Sequence, residues 1–150
     1  MENEIKIRMG IDSIQEQKCR MAASIPEQID PGKLQLRNLV ETEILRGEDK
    51  VRVTVGADYV LEDESLCELV VTATFLLSPF SEIVIIDEEK KKISFNPGVL
   101  QTFLGSTVGI LRGVLFEKTK GTPLADFPLP LVPMTTLVEM NRFRVEKQEG

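Results

Sequence analysis

Two thiols and two runs of adjacent carboxylates are the side chains of this sequence with most chemistry to offer. Cys19 and Cys67 are far apart, and each lies in a segment of alternating apolar residues. That context predicts two buried free thiols in a reducing compartment. Glu62–Asp63–Glu64 and Asp87–Glu88–Glu89 fall in turns. Neighbouring surface carboxylates are solvated, and neither run is read as a catalytic pair or a calcium loop. Histidine is absent. This removes the most frequent general base and metal ligand, and with it every Ser–His or Cys–His pair. Two cysteines are too few soft ligands for a zinc site. No dinucleotide-binding glycine motif, P-loop or HExxH is present. The sequence therefore predicts a protein that is not an enzyme, with no catalytic residue, no cofactor and no metal.

The remaining possibilities are bounded by size and charge. A chain of 150 residues predicts a single domain, 1–150. Its apolar fraction of 42% and charged fraction of 28% suit a soluble globular core rather than disorder. The net charge is −6, whereas a nucleic-acid binder carries a basic surface, so nucleic acid is not expected as a partner. Gly, Ser, Thr or Arg interrupt the apolar runs before the roughly 20 residues of a membrane span, so no membrane insertion is expected. Met1 to Arg8 is charged and lacks the apolar region of a signal peptide, which makes the cytoplasm the expected location.

The first half reads as strands. Ile5, Ile7, Met9 and Ile11 alternate with polar residues, the pattern breaks over 12–16, and Cys19, Met21, Ala23 and Ile25 resume it. Period two marks a half-buried strand, and such a break marks a bulge or bend. Asp30–Pro31–Gly32 is a turn. A second strand runs from Leu34 through Ile44, and Arg46–Asp49 is a hairpin connection to a third over 51–61. A fourth covers Leu66 to Leu77. One of its faces is apolar throughout, and the other carries Val70 and Leu76 among polar residues. That second face either leaves some apolar atoms in water or packs against another copy of the sheet. Pro79 ends the strand. A long crossover follows, with an apolar burst at 83–86 and a charged loop tip at 87–92.

The apolar period then changes to three and four, which predicts a helix over about 98–119 started by Asn96 and Pro97. Gly105, Gly109 and Gly113 share one helix face, and each costs about 1 kcal/mol against Ala, so close backbone packing should offset them. Lys118, Lys120 and Gly121 suit the helix end. Thr122 to Pro133 holds four prolines and is neither helix nor central strand. It is too apolar for a solvated linker and should lie extended over the surface. There it either walls an apolar groove or caps the core. A short helix over 135–144 and a frayed tail at 145–150 complete the expected fold. It is α+β: a four-stranded antiparallel sheet with one long helix and a short C-terminal helix on one side.

Three local words in this order resemble SecB, the bacterial export chaperone, and its SecB-like relatives. They are Lys33–Leu34–Gln35–Leu36; Leu66–Cys67–Glu68 with Phe75 beyond; and Lys120–Gly121–Thr122 followed by Leu129, Val132–Pro133–Met134 and Leu137. The resemblance spans about Gln15 to Met140. It implies a cytoplasmic chaperone that holds unfolded polypeptides in apolar surface grooves, assembles as a dimer of dimers, and delivers precursors to the translocation ATPase SecA. Carried over, the groove positions fall on Ile29, Leu34, Leu36, Phe103, Phe127 and Met134. The SecA docking positions fall on Leu66 and Glu68. Lys18 and Ala22 stand where further acidic docking residues would be, which weakens the expectation of SecA. The in-family variant is a chaperone for one dedicated partner, such as an aggregation-prone antitoxin. The rival class is an adaptor that binds a single folded partner through the same apolar face.

Overall fold

The computed structural model describes residues 7–145. Four long strands, β1 (Arg8–Met21), β2 (Leu34–Leu45), β3 (Lys50–Leu61) and β4 (Glu64–Ser78), precede a short helix α1 (Phe80–Ile83). A small hairpin of β5 (Val84–Asp87) and β6 (Lys92–Phe95) leads to the long helix α2 (Val99–Thr119). Helix α3 (Met134–Met140) and strand β7 (Arg142–Val145) close the described chain. The main sheet has five strands in the order β1-β4-β3-β2-β7, and the hairpin stands apart. It is antiparallel from β1 to β2, as expected, and β7 adds a parallel fifth strand beside Glu41–Ile44. The sequence reading placed a helix to 144 and a frayed tail from Val145. Helix α3 instead stops at Met140, and Val145 pairs with Ile44. The rest of that predicted tail, and Ile5 of the first predicted strand, lie outside the described residues.

The alternation in β3 and β4 builds the core. Val51, Val53, Val55, Ala57 and Tyr59 are register partners of Phe75, Ala73, Val71, Leu69 and Cys67, and all ten are buried. Their shared face meets α2. Phe103 anchors the contact: it is 1% exposed and its ring stacks on Phe75 at 4.2 Å. It is thus a core residue rather than the groove residue the resemblance implied.

On the opposite face Val70 is half-buried and Leu76 is exposed. Thr72 and Thr74 are buried there, and the Thr54 and Thr72 hydroxyls meet at 3.0 Å. The β3–β4 turn places Glu62 and Asp63 both at positive φ, the twist a two-residue hairpin requires.

Two register shifts, at Ile11/Ser13 and Glu16/Lys18, confirm that β1 is bulged. Each bulge resets the alternation, so Met9, Ile11, Ile14, Cys19 and Met21 all share the face toward α2. Yet α2 lies over β3 and β4. Met9, Ile11 and Ile14 are consequently exposed. Cys19 is also exposed, against the expectation of two buried thiols, while Cys67 is buried as expected.

Helix α2 does not begin on an Asn cap and a first-turn proline. Gly98, at φ +84°, stands at the N-cap, and the Val99 N–H bonds back to the Asn96 carbonyl at 3.1 Å. Its end is as expected, with Gly121 left-handed at φ +77°. Contrary to the sequence reading, α2 is long and apolar enough by composition to cross a membrane; 44% of its most apolar stretch is buried in this fold. The β5–β6 hairpin occupies the predicted crossover and puts the charged run at its tip.

Replacing Phe103 with Ala removes a fully buried ring stacked on Phe75. Chemical denaturation should show a loss of about 3–5 kcal/mol.

Candidate functional site

The segment after α2 forms a strap along the helix. Its first residues, Pro123–Asp126, make one 3-10 turn rather than extended chain. Thr122 caps that turn, accepting from the Leu124 N–H at 3.2 Å. From Phe127 to Pro133 the strap is neither helix nor strand, as predicted. Proline lacks an N–H, so side chains must hold this segment. The Tyr59 hydroxyl donates to the Phe127 carbonyl at 2.6 Å. Arg112 of α2 donates from Nε to the Leu129 carbonyl at 3.3 Å and from Nη2 to the Pro130 carbonyl at 3.2 Å.

The strap both caps the core and walls a groove. Leu124 and Leu129 are buried, whereas Phe127 is half-buried and Leu131 is 88% exposed. Between strap and helix lies a cavity of about 390 Å³. Gly109, Gly113 and Phe116 line its helix side, and Ala125, Pro128 and Leu129 its strap side. A Cβ on Gly109 or Gly113 would meet nothing within 4 Å, so no backbone packs there among the described residues. Only Gly105 of the three is used for close packing, with the Met134 Cε 3.4 Å from where its Cβ would stand. Arg112 spends its guanidinium on the strap, and the groove is mostly apolar.

Leu34 and Leu36 lie on the helix-side face of β2, where Leu36 is the register partner of Tyr59. Because Tyr59 also holds Phe127, the fold brings Leu36 and Phe127 to one neighbourhood. Leu34, Leu36 and Phe127 are all half-buried. Ile29 is half-buried in the β1–β2 connection, and Met134 packs on α2 at the other end of the strap. The sequence reading did not single out Gly109, Gly113 and Phe116 as groove residues. The spacing of the glycines was its visible signal, read there as a packing face. The docking residues come out differently. Leu66 is only 3% exposed, and the Glu68 carboxylate is ion-paired with Lys18. The lysine thus neutralises the acid it stands beside.

Two buried acids lie under the strap's anchor. Burial raises the Tyr59 hydroxyl to about 12, with the neighbouring Cys67 adding to the shift. Burial likewise raises the Cys67 thiol to about 11, helped by Cys19 and Asp58. Neither ionises near neutrality, so neither supplies a nucleophile there. Among the described residues no group of three or more acidic, Cys or His side chains could hold a metal ion.

Among solved structures the chain is similar to the SecB-like chaperone Rv1957 of Mycobacterium tuberculosis, seen in complex with a ChAD peptide from the antitoxin Rv1956 HigA1. The TM-score is 0.53 at 10% identity, over 84% of this chain and 91% of that one. A protein of unknown function from Streptococcus agalactiae gives a TM-score of 0.44 at 10% identity, over 86% of this chain and 99% of that one. No protein-family model and no curated protein matches. The α+β architecture, with α2 packed on a mostly antiparallel five-stranded sheet, is a SecB-like fold. The family resemblance read from the sequence holds at the level of structure.

Both raised acids favour the folded state only while protonated. Their contribution is complete below the unfolded values of 9.0 and 10.0 and is lost as pH rises toward about 11 and 12. Urea midpoints should therefore fall from about pH 9 upward. Cys67→Ser should flatten the lower part of that decline and Tyr59→Phe the upper part. Arg112→Met should release the strap and speed proteolysis within 127–133 while leaving the helical content unchanged.

Proposed function

We propose that this protein is a SecB-like holdase chaperone that captures apolar segments of non-native polypeptides in the groove between α2 and the strap. The carrying observation is that cavity, flanked by side-chain clamps and floored by glycines that nothing among the described residues packs against. Covering apolar surface there gains roughly 25 cal/mol per Å², without demanding one sequence. The half-buried Ile29, Leu34, Leu36, Phe127 and Met134 extend the apolar surface at the two ends of the strap. The solved SecB-like relative bound to an antitoxin peptide supports peptide clients for this chain too. The reading needs no catalytic group, cofactor or metal, and it places the protein in the cytoplasm.

A dedicated partner is better supported than delivery to SecA. Leu66 is buried and Glu68 is neutralised by Lys18, so the acidic docking surface is reduced to little. SecA binding is expected to be weak and salt-sensitive. Assembly belongs to the same proposal. Met9, Ile11 and Ile14 form an uncovered apolar stripe on an edge strand, which suits a homo-oligomer built as a dimer of dimers.

The protein should slow aggregation of an unrelated unfolded substrate, read as turbidity. Leu36→Asn with Phe127→Ser should abolish that protection without changing the mass by light scattering. Gly113→Leu should do the same by filling the groove, and helix propensity gains about 1 kcal/mol there. Protection that survives both changes would place the client elsewhere. Protection of one partner alone, with no effect on unrelated substrates, would favour the adaptor. A stable monomer at tens of micromolar would contradict the assembly.

A further inference from the structure

Three sulfur atoms gather at one end of β1. Past the second bulge, register sets Cys19 opposite Leu69 and Met21 opposite Cys67, all on the face toward α2. The Ala22 N–H donates to the Leu66 carbonyl at 2.9 Å and carries that register past the strand's end. Cys67 is 1% exposed, Met21 is half-buried against the core, and Cys19 is exposed. The cluster therefore runs from the core to the surface. Met21 adjoins both thiols, lying across from Cys67 and two residues along from Cys19.

The spacing suits an ion better than a disulfide. Opposite residues on one face stand about 5 Å apart at Cβ, and residues two apart on a strand about 7 Å. The two thiols are diagonal neighbours, with Cα atoms about 7–8 Å apart. A disulfide draws its Cα atoms to about 4.4–6.8 Å and its sulfurs to about 2 Å. An ion relaxes that demand, because metal–thiolate bonds of about 2.3 Å leave the sulfurs about 4 Å apart. The thiols are near enough to interact, since Cys19 adds to the upward push on Cys67.

The donors on this patch are soft. Histidine is absent from the chain. The Tyr59 hydroxyl beside Cys67 is given to the Phe127 carbonyl, and Glu16, the next position along this face of β1, is paired with Lys118. Two thiols and a thioether remain. They fall one short of tetrahedral zinc, whereas thiolate and thioether together select copper(I).

We propose that Cys19, Met21 and Cys67 bind one copper(I) ion through their three sulfur atoms, with entry from the exposed Cys19 side. The ion takes the place of the two thiol protons, which leave to solvent. The three rotatable bonds of Met21 let its sulfur close the triangle. The site is separate from the strap groove and uses none of its lining residues.

The test is an anaerobic titration of the protein with copper(I) held by bicinchoninate, a chromophoric competitor. One ion per chain should transfer, and an excess of zinc(II) should not displace it. X-ray absorption at the copper edge should give three sulfur neighbours in the parent chain and two in Met21→Leu. Loss of a supporting group beyond the ligands costs about 10–100-fold in metal affinity, so Cys19→Ser and Cys67→Ala should each cost about 100-fold or more and Met21→Leu about tenfold. Cys19→Ser changes an exposed position, so it keeps the test valid if Cys67→Ala fails to fold. No transfer from bicinchoninate, displacement by zinc, unchanged affinity in Cys19→Ser or Met21→Leu, or only two sulfur neighbours in the parent chain would overturn the inference. A rise in mass by light scattering on adding copper would also overturn it, by placing the ion between Cys19 residues of two copies.

Discussion

A segment that cannot join a sheet must be held by something else, and most of this structure answers that constraint. The strap has prolines at 123, 128, 130 and 133, so it offers few N–H groups for a ladder. Its carbonyls remain, and two side chains reach them: Tyr59 from the sheet and Arg112 from the helix. Between these clamps Leu124 and Leu129 are drawn into the core. Those contacts fix the distance between strap and α2. The groove is what is left where Gly109 and Gly113 supply no side chain to fill it. Proline fixes φ at four strap positions, so holding the wall costs less entropy than it would for a flexible loop.

The same economy explains what the fold leaves bare. One helix covers the middle of the sheet, over β3 and β4. The C-terminal region covers the β2 side, with α3 against α2 and β2, and β7 along the edge. Here Thr42 donates to Asn141, and Arg144 pairs with Glu41 and Glu43. Among the described residues no comparable element lies over β1. Its bulges nonetheless align Met9, Ile11 and Ile14 on the helix side, where a single copy exposes them. An edge strand that keeps apolar residues in register on one face is better suited to a contact than to solvent.

Much of this was legible in the sequence, because long elements carry strong periodicity. Strands β2 to β4 and helix α2 follow from alternation and from apolar spacings of three and four, and the β1 bulge from a broken alternation. Short elements were lost. Strands β5, β6 and β7 have four residues each, too few for a period to show, and β7 exists because β2 offers it an edge. Periodicity also says which face a residue takes and nothing of what lies over that face. Phe103 and Leu36 are both groove positions by resemblance, yet one stacks on Phe75 in the core and the other is half-buried on the helix-side face of β2. Cys19 shows the same limit: it shares the face toward α2, and no described residue covers it. Arg112 read as an interruption of an apolar helix, because its carbonyl partners lie 17 and 18 residues further on.

A client held as proposed would lie in the groove beside Phe116, which is 62% exposed at its edge. A photo-crosslinking amino acid at position 116 tests this most directly, with a permanently unfolded protein as client and position 85 as the control, since Ile85 is equally bare on the distant hairpin. Client adducts are expected from position 116 that disappear in the Gly113→Leu background, with few from position 85. Adducts from position 85 alone, or adducts from position 116 that persist when the groove is filled, would contradict it.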